Sequence, residues 1–281
     1  MPTAWESGLT VSEPSNWDSL QYQTLLLERP DPGILVVRFN RPQSANALNT
    51  QMGRDILALF SQLRLNANDV RCIVLTGSGE RAFCAGGDLK ERDGMSDEAW
   101  RSQHVVFEQA MYAVMECPIP IIAAVNGAAY GGGCEFALAC DFIYAAESAR
   151  FAQTEVRLGI IPGCGGTQML ARAVGAARAR EIIFTAEPFD AAQAASWGMV
   201  NRVVPLASLL NEALGAARTI AANGPIAVRQ AKLAIANGVE VDRRTGLAIE
   251  VAAYNQTVST ADRREGVRAA IERRAPKFTG S

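Results

Sequence analysis

The sequence predicts an α/β protein whose C-terminal part is all helix, on three observations. Short β-rich runs recur up to about residue 205. Helical patterns lie between them, as in an α/β architecture. After Pro205 the strand-like runs stop and helix follows helix, rich in Ala, Arg and Glu.

In chain order, residues 1–20 have no basic start and no long apolar run, so they read as a polar lead-in, neither a signal peptide nor a typical transit peptide. "ILVVRF" (Ile34 to Phe39), "CIVLT" (Cys72 to Thr76), "IIAAV" (Ile121 to Val125), "FIYAA" (Phe142 to Ala146) and "VNRVV" (Val200 to Val204) read as strands. Several are continuous apolar runs, which suits strands buried on both faces. "TQMGRDILALFSQLRL" carries Ile56, Leu57, Leu59, Phe60 and Leu63 at helical spacing, and "DEAWRSQHVVFEQAMYAVME" does the same with Val105, Phe107, Met111 and Val114. Asp190 with Gln193 forms a capping-box pattern before "AAQAASWG", whose Gly198 suits the stop. Pro225 suits the first turn of a helix. Asp262 with Glu265 resembles a second capping box before "VRAAIERR". The expected division is a lead-in over 1–20, an α/β body over 21–205 and a helical region over 206–281.

Composition narrows the function classes. The chain has 281 residues, 49% of them apolar and 20% charged, with a net charge of −2. A pI of about 5.6 and scattered Lys and Arg speak against nucleic acid or an anionic membrane as partner. No apolar run is long enough to span a bilayer. The six cysteines form no CxxC pair and sit mostly in apolar or Gly-rich surroundings, which predicts reduced, buried thiols in a cytoplasmic protein. The single histidine, His104, has no partner motif, so no metal site is expected. It lies in a polar stretch and reads as a helix-surface or boundary residue. A Ser-His-Asp hydrolase would have to use it.

Three loops have suggestive composition: "TGSGERAFCAGGDLKER" (Thr76 to Arg92), "AAYGGGCEFALACD" (Ala128 to Asp141) and "FAQTEVRLGIIPGCGGTQMLARAVG" (Phe151 to Gly175). No GK[ST] follows the glycines, and no GxGxxG lies between strand and helix with an acid about 20 positions on, so neither a phosphate loop nor a dinucleotide fold is indicated. Two readings of "GGGCE" stand side by side. One is a tight strand-to-helix turn with close packing. The other is a set of free backbone N–H groups at a helix start, offered to a developing oxyanion. Glu135 fits a helix-dipole cap or an acid–base group, and Glu155 fits a surface carboxylate or a second such group. Asp141, between helix and strand, fits a structural turn or cap.

Taken together, "AFCAGGDLKE", "IAAVNGAAYGGGCEFALACD" and "FAQTEVRLGIIPGCGGTQMLARAVG" resemble the signature segments of the crotonase (enoyl-CoA hydratase/isomerase) superfamily, and are most like an enoyl-CoA hydratase. "NRPQSANALNTQM" and "AASWGMVNRVV" match its other landmarks, and the resemblance runs from about Tyr22 to Phe278. It implies a spiral of ββα units followed by helices that mediate trimerisation, with trimers pairing into hexamers. The implied substrate is an acyl-CoA thioester, with no metal or redox cofactor.

By the motifs, the resemblance implies that the N–H groups of Gly87 and Gly132 hold the thioester oxygen. Glu135 and Glu155 fall on the positions of the two catalytic glutamates of enoyl-CoA hydratases. Coenzyme A would run along Ala45, Ala85, Gly87, Asp88, Leu89 and Lys90, and also meet Gly132. Lys277 and Phe278 resemble C-terminal residues that reach CoA, in some members from a neighbouring subunit. The sequence departs from the pattern at Gln43, where the family often has a basic residue, and at Thr154, where it often has proline. The implied reaction is hydration of a 2-enoyl-CoA to a 3-hydroxyacyl-CoA. Alternatives are double-bond isomerisation or hydration of a branched or cyclic enoyl-CoA, and, outside catalysis, an RNA-binding or scaffold role that the acidic pI opposes.

Overall fold

The computed structural model describes Trp17 and residues 20–281, so most of the expected lead-in lies outside the described residues. β1 (Leu25–Asp31) and β2 (Ile34–Phe39) pair antiparallel and are followed by α1 (Thr50–Leu65). Asn49 caps α1 by accepting the Met52 N–H at 3.0 Å.

Three strand–strand–helix units come next. The first is β3 (Cys72–Gly77), β4 (Ala82–Cys84), then α2 (Leu89–Arg92) and α3 (Asp97–Met115). The second is β5 (Ile121–Val125), β6 (Ala128–Tyr130) and α4 (Gly132–Leu138). The third is β7 (Phe142–Ala146), β8 (Arg150–Ala152), a 3₁₀ turn over Glu155–Leu158, and α5 (Gly166–Val174). After α6 (Ala176–Thr185), the short strand β9 (Phe189–Asp190) leads through α7 (Ala191–Ser196) to β10 (Arg202–Val204). α8 (Leu206–Ala221), α9 (Pro225–Gly238), α10 (Arg243–Val258) and α11 (Ala261–Glu272) complete the chain.

Each unit sends its first strand to one sheet and its second strand to another. The large sheet has the order β1-β2-β3-β5-β7-β10 and the small one β4-β6-β8-β9. This is the ββα spiral that the resemblance implied. β2 with β3, β3 with β5, β5 with β7 and β7 with β10 all run parallel. β3 and β5 are buried along their whole length, as their unbroken apolar runs require. Asn126 ties the sheets together where β5 ends: its Oδ1 accepts the Gly77 N–H at 3.1 Å and its Nδ2 donates to the Gly79 carbonyl at 2.6 Å.

The strands read from sequence form within a residue or two, except that Val200 and Asn201 lie outside β10. β1, β4, β6, β8 and β9 were not anticipated; four of them are only two or three residues long. Along α3, Phe107, Met111 and Val114 are buried but Val105 is 53% exposed. The Asp190–Gln193 capping box forms, with Gly198 at φ 86° after α7, and Pro225 opens α9. The Asp262–Glu265 box does not form. α11 starts two residues earlier, capped by Thr260, and the buried Asp262 carboxylate instead accepts the Thr279 and Gly280 N–H groups. The helices do begin at Leu206, but α8 packs on the large sheet and buries Leu209, Ala213, Leu214 and Ala217. α9 and α10 pack on each other. All six cysteines are free and buried. Among the described residues, no helix is long and apolar enough to cross a membrane.

Candidate active site

The small sheet gathers the site. β4, β6 and β8 run parallel, so their C-terminal ends lie along one edge. The chain leaving β4 carries Ala85 to Asp88, that leaving β6 carries Gly131 to Glu135, and that leaving β8 carries Gln153 to Glu155. Loops at the C-terminal ends of parallel strands are where open α/β sheets place ligands. Here they wall a cavity of about 830 Å³ lined by Gly87, Gly132, Glu135 and Glu155 together.

The glycines make the close approach possible. Gly131 sits at φ 50°, and a Cβ there would lie 2.7 Å from Glu155 Oε1. A Cβ on Gly133 would lie 2.0 Å from the Cys84 carbonyl oxygen, so only glycine lets α4 pack this tightly on β4. The packing reading and the oxyanion reading of "GGG" are therefore compatible, because the tight turn is what brings Gly132 beside Gly87. Among the described residues, neither the Gly87 N–H nor the Gly132 N–H donates to a protein acceptor. Gly132 opens α4, whose first N–H groups have no partner within the helix.

Glu135 is 2% exposed. Its Oε1 accepts the N–H groups of Cys164 (2.8 Å) and Gly166 (2.7 Å), at the start of α5. Burial pushes its pKa up to about 7; the Gly166 bond opposes the rise, the nearby Glu155 charge adds to it, and the Cys164 bond opposes it. Oε1 is thus fully engaged, while Oε2 lies 3.9 Å from where a Gly132 Cβ would stand.

Glu155 is half-buried at the start of the 3₁₀ turn. Burial raises its pKa as well, against a backbone hydrogen bond and the Arg92 cation, which lower it. Gln153, fully buried, braces it: with the amide turned to satisfy its surroundings, the nitrogen donates to Glu155 Oε2 at 3.1 Å and Oε1 at 3.3 Å. Thr154, the departure from proline, lines the cavity between the two.

The expected coenzyme A strip is only partly at the cavity. Ala85 and Leu89 line it. Ala45 holds the strip from behind, its carbonyl accepting the Ala85 N–H at 3.1 Å. Asp88 is occupied: it caps α2 through the Lys90 N–H and pairs with Arg41 at 2.8 Å. Lys90 and Gln43 are exposed. Within the single chain, Lys277 and Phe278 are not brought to this cavity. The Phe278 carbonyl accepts from Arg71, the Lys277 N–H donates to Glu265, and neither residue lines the cavity. Asp141 is structural as expected, accepting the Ile121 N–H and pairing with Lys232.

Three comparisons bear on this arrangement. A family model described as enoyl-CoA hydratase/isomerase matches residues 29–281. The chain belongs to the enoyl-CoA hydratase/isomerase family. It is 41% identical to the mouse protein named enoyl-CoA hydratase domain-containing protein 2, covering 92% of this chain and 89% of that one. It is 39% identical to the short-chain-enoyl-CoA hydratase of Clostridium acetobutylicum, covering 91% of this chain and 97% of that one. A crystal structure of an enoyl-CoA hydratase from Bacillus anthracis superposes with a TM-score of 0.90 at 44% identity, covering 92% of this chain and all of that one. The chain is therefore a crotonase-fold enzyme acting on an acyl-CoA thioester.

Sequence reading missed Gln153 and Arg92 as members of this site, along with the Cys164 and Gly166 N–H donors. Both side chains stood inside motifs that had been singled out, "FAQTE" and "DLKER". His104 is half-buried, with its imidazole against Gly163 in the cavity wall; its boundary assignment holds, but the boundary is that of the site.

Proposed function

We propose that this enzyme adds water across the 2,3 double bond of a 2-enoyl-CoA thioester, giving a 3-hydroxyacyl-CoA. One observation carries the reading: two carboxylates with raised pKa values face one cavity beside two unengaged backbone N–H groups.

The thioester oxygen accepts from the Gly87 and Gly132 N–H groups. As water attacks C3, negative charge moves through C2 onto that oxygen, so both bonds strengthen in the transition state. Each such donor is worth ~3 kcal/mol by analogy with other oxyanion holes. Glu135 in its ionised form takes the water's proton through Oε2, since Oε1 is held by two N–H groups. Glu155 in its protonated form delivers a proton to C2. A pKa of about 7 for Glu135 suits a general base near neutral pH. Every atom of the water enters the product, so the proposal needs no metal and no redox cofactor.

The proposal extends to assembly. α9 to α11 expose Ile235, Val239, Tyr254 and Ile271, apolar surface of the kind that a homotrimer or homohexamer would cover. A neighbouring subunit could then supply contacts to coenzyme A that Lys277 and Phe278 do not make within their own chain.

The test is product mass after incubation with crotonyl-CoA and longer enoyl-CoA esters. A gain of one water supports hydration. A shifted double bond with unchanged mass would make the enzyme an isomerase.

A further inference from the structure

Arg92 stands in the cavity wall with an outer edge that the protein leaves unused. It closes α2, and its Nε donates to Gln103 Oε1 at 2.9 Å. Gln103 is 4% exposed and is itself fixed, its Nε2 donating to Thr50 Oγ1 and Glu91 Oε2, both at 2.8 Å. Glu91 Oε2 also accepts the Thr50 N–H at 2.8 Å. The neighbouring acid is thus consumed in a frame that aims Arg92 without neutralising it. The guanidinium lies 4.4 Å from the centre of the Trp100 ring and 5.5 Å from that of Phe107, so two aromatic faces hold it in place.

Its other side meets the reaction. A Cβ on Gly87 would lie 3.1 Å from both Arg92 Cζ and Nη1, beside the proposed oxyanion donor. Among the described residues, neither Nη1 nor Nη2 donates to a protein acceptor, and no carboxylate lies within 4.0 Å of the guanidinium. Arg41 is committed to Asp88, while Arg101, also at the cavity, is 77% exposed and only loosely paired with Asp97 at 3.7 Å, so it lacks the fixed, half-buried setting of Arg92. The Glu135 and Glu155 carboxylates face the same cavity; Glu155 acts on Arg92 through its charge without forming a salt bridge or hydrogen bond to it. Partial burial lowers its pKa against the opposing pull of the nearby Glu91 and Glu155 charges, and an arriving anion would offset that burial further. A rigid, half-buried guanidinium with both Nη edges open is the geometry that receives a carboxylate through paired hydrogen bonds.

We propose that Arg92 reads a carboxylate on the acyl group, so that the preferred substrates are short enedioyl-CoA monothioesters and not plain alkyl enoyl-CoAs. Because Arg92 borders Gly87, that carboxylate sits only a few carbons from the thioester. The inference deepens the proposed hydration and rests on it for the word "substrate", but its test does not require turnover.

The test is equilibrium binding of two saturated esters of matched shape, glutaryl-CoA and 5-methylhexanoyl-CoA, measured by titration calorimetry. Wild type is expected to bind glutaryl-CoA roughly ten- to a hundred-fold more tightly, the range for hydrogen bonds to a charged group. In Arg92→Met that preference collapses to about unity or reverses, and Arg92→Lys retains part of it. No preference in wild type overturns the proposal without any variant being needed. An unchanged preference in Arg92→Met, or an equal loss for both esters, also overturns it, the latter by placing Arg92 on the coenzyme A moiety. Neither ester being hydratable, a glutaryl preference alongside failure to hydrate any enoyl-CoA would sink the hydratase reading and leave this one standing.

Discussion

The strands of the large sheet and those of the small sheet are built from different material and do different jobs. In the large sheet, β2, β3 and β5 are five or six residues long and mostly apolar, and Leu35, Val37, Val74, Leu75 and Ile122 are fully buried. In the small sheet, β4, β6 and β8 have three residues each, too few to hold together alone. Yet every group placed in the proposed chemistry leaves the end of a small-sheet strand. The small-sheet layer is held by the long strands, through Phe39 against Phe83 of β4 (ring centres 5.2 Å apart) and Phe136 of α4 (5.9 Å), and through the Asn126 amide, whose Nδ2 also reaches the Ala82 carbonyl of β4 at 3.5 Å. The contrast teaches that stability and chemistry are carried by separate layers, with the rigid layer fixing the position of the reactive one.

Substitutions in the two layers should therefore have opposite signatures. Leu35→Ala in the large sheet should cost about 2–5 kcal/mol of stability, while the folded fraction keeps near-normal kcat/KM. Denaturant unfolding and initial rates on the same sample check this; a large drop in the activity of folded protein would break the separation.

A second test uses protons. Glu135 has its pKa raised from 4.5 to about 7 by burial, so the folded state binds a proton more readily than the unfolded one. Its contribution is fully present below about pH 4.5 and is lost as pH rises through about 7. Stability should therefore fall by on the order of a few kcal/mol across that window, as measured by urea unfolding at several pH values. Glu135→Gln should flatten the slope and be the more stable protein above pH 7, which would place the strain in the reactive layer.

Gly133→Ala is the smallest of these changes and sharpens the contrast most. Its new methyl would meet the Cys84 carbonyl and push α4 off β4, moving the Gly132 N–H. Displacements of this kind cost up to about a hundred-fold in rate. The kcat of the folded protein should drop more than in Leu35→Ala, even as the backbone clash lowers the melting temperature as well.

The same division explains what was legible in the sequence. Large-sheet strands announce themselves because burial on both faces demands unbroken runs such as "IIAAV". The "AFC", "AAY" and "RFA" strands are too short for any period to register, and they dissolve into the glycine-rich loops beside them. Glu135 and Glu155, the carboxylates of the proposed chemistry, were reached through motifs, and the structure brings both into one cavity with Gly87 and Gly132. Gln153 and Arg92 were not, because bracing and aiming are side-chain contacts that no motif spacing reveals: Gln153 with Glu155 two positions on, Arg92 with Gln103 on the next helix. Asp262 was misread for a related reason. Its local spacing suits a cap, but the returning C-terminal residues offer it two N–H groups that spacing alone does not reveal.

The central claim is that two carboxylates at the edge of the small sheet share one addition of water. It is tested most directly by the turnover of Glu135→Gln and Glu155→Gln on the best enoyl-CoA substrate, with melting curves run in parallel. Both variants should stay folded, and each should lose ~10²–10⁴-fold in kcat, the range for removing a positioned acid or base. Near-normal turnover in both would contradict the account.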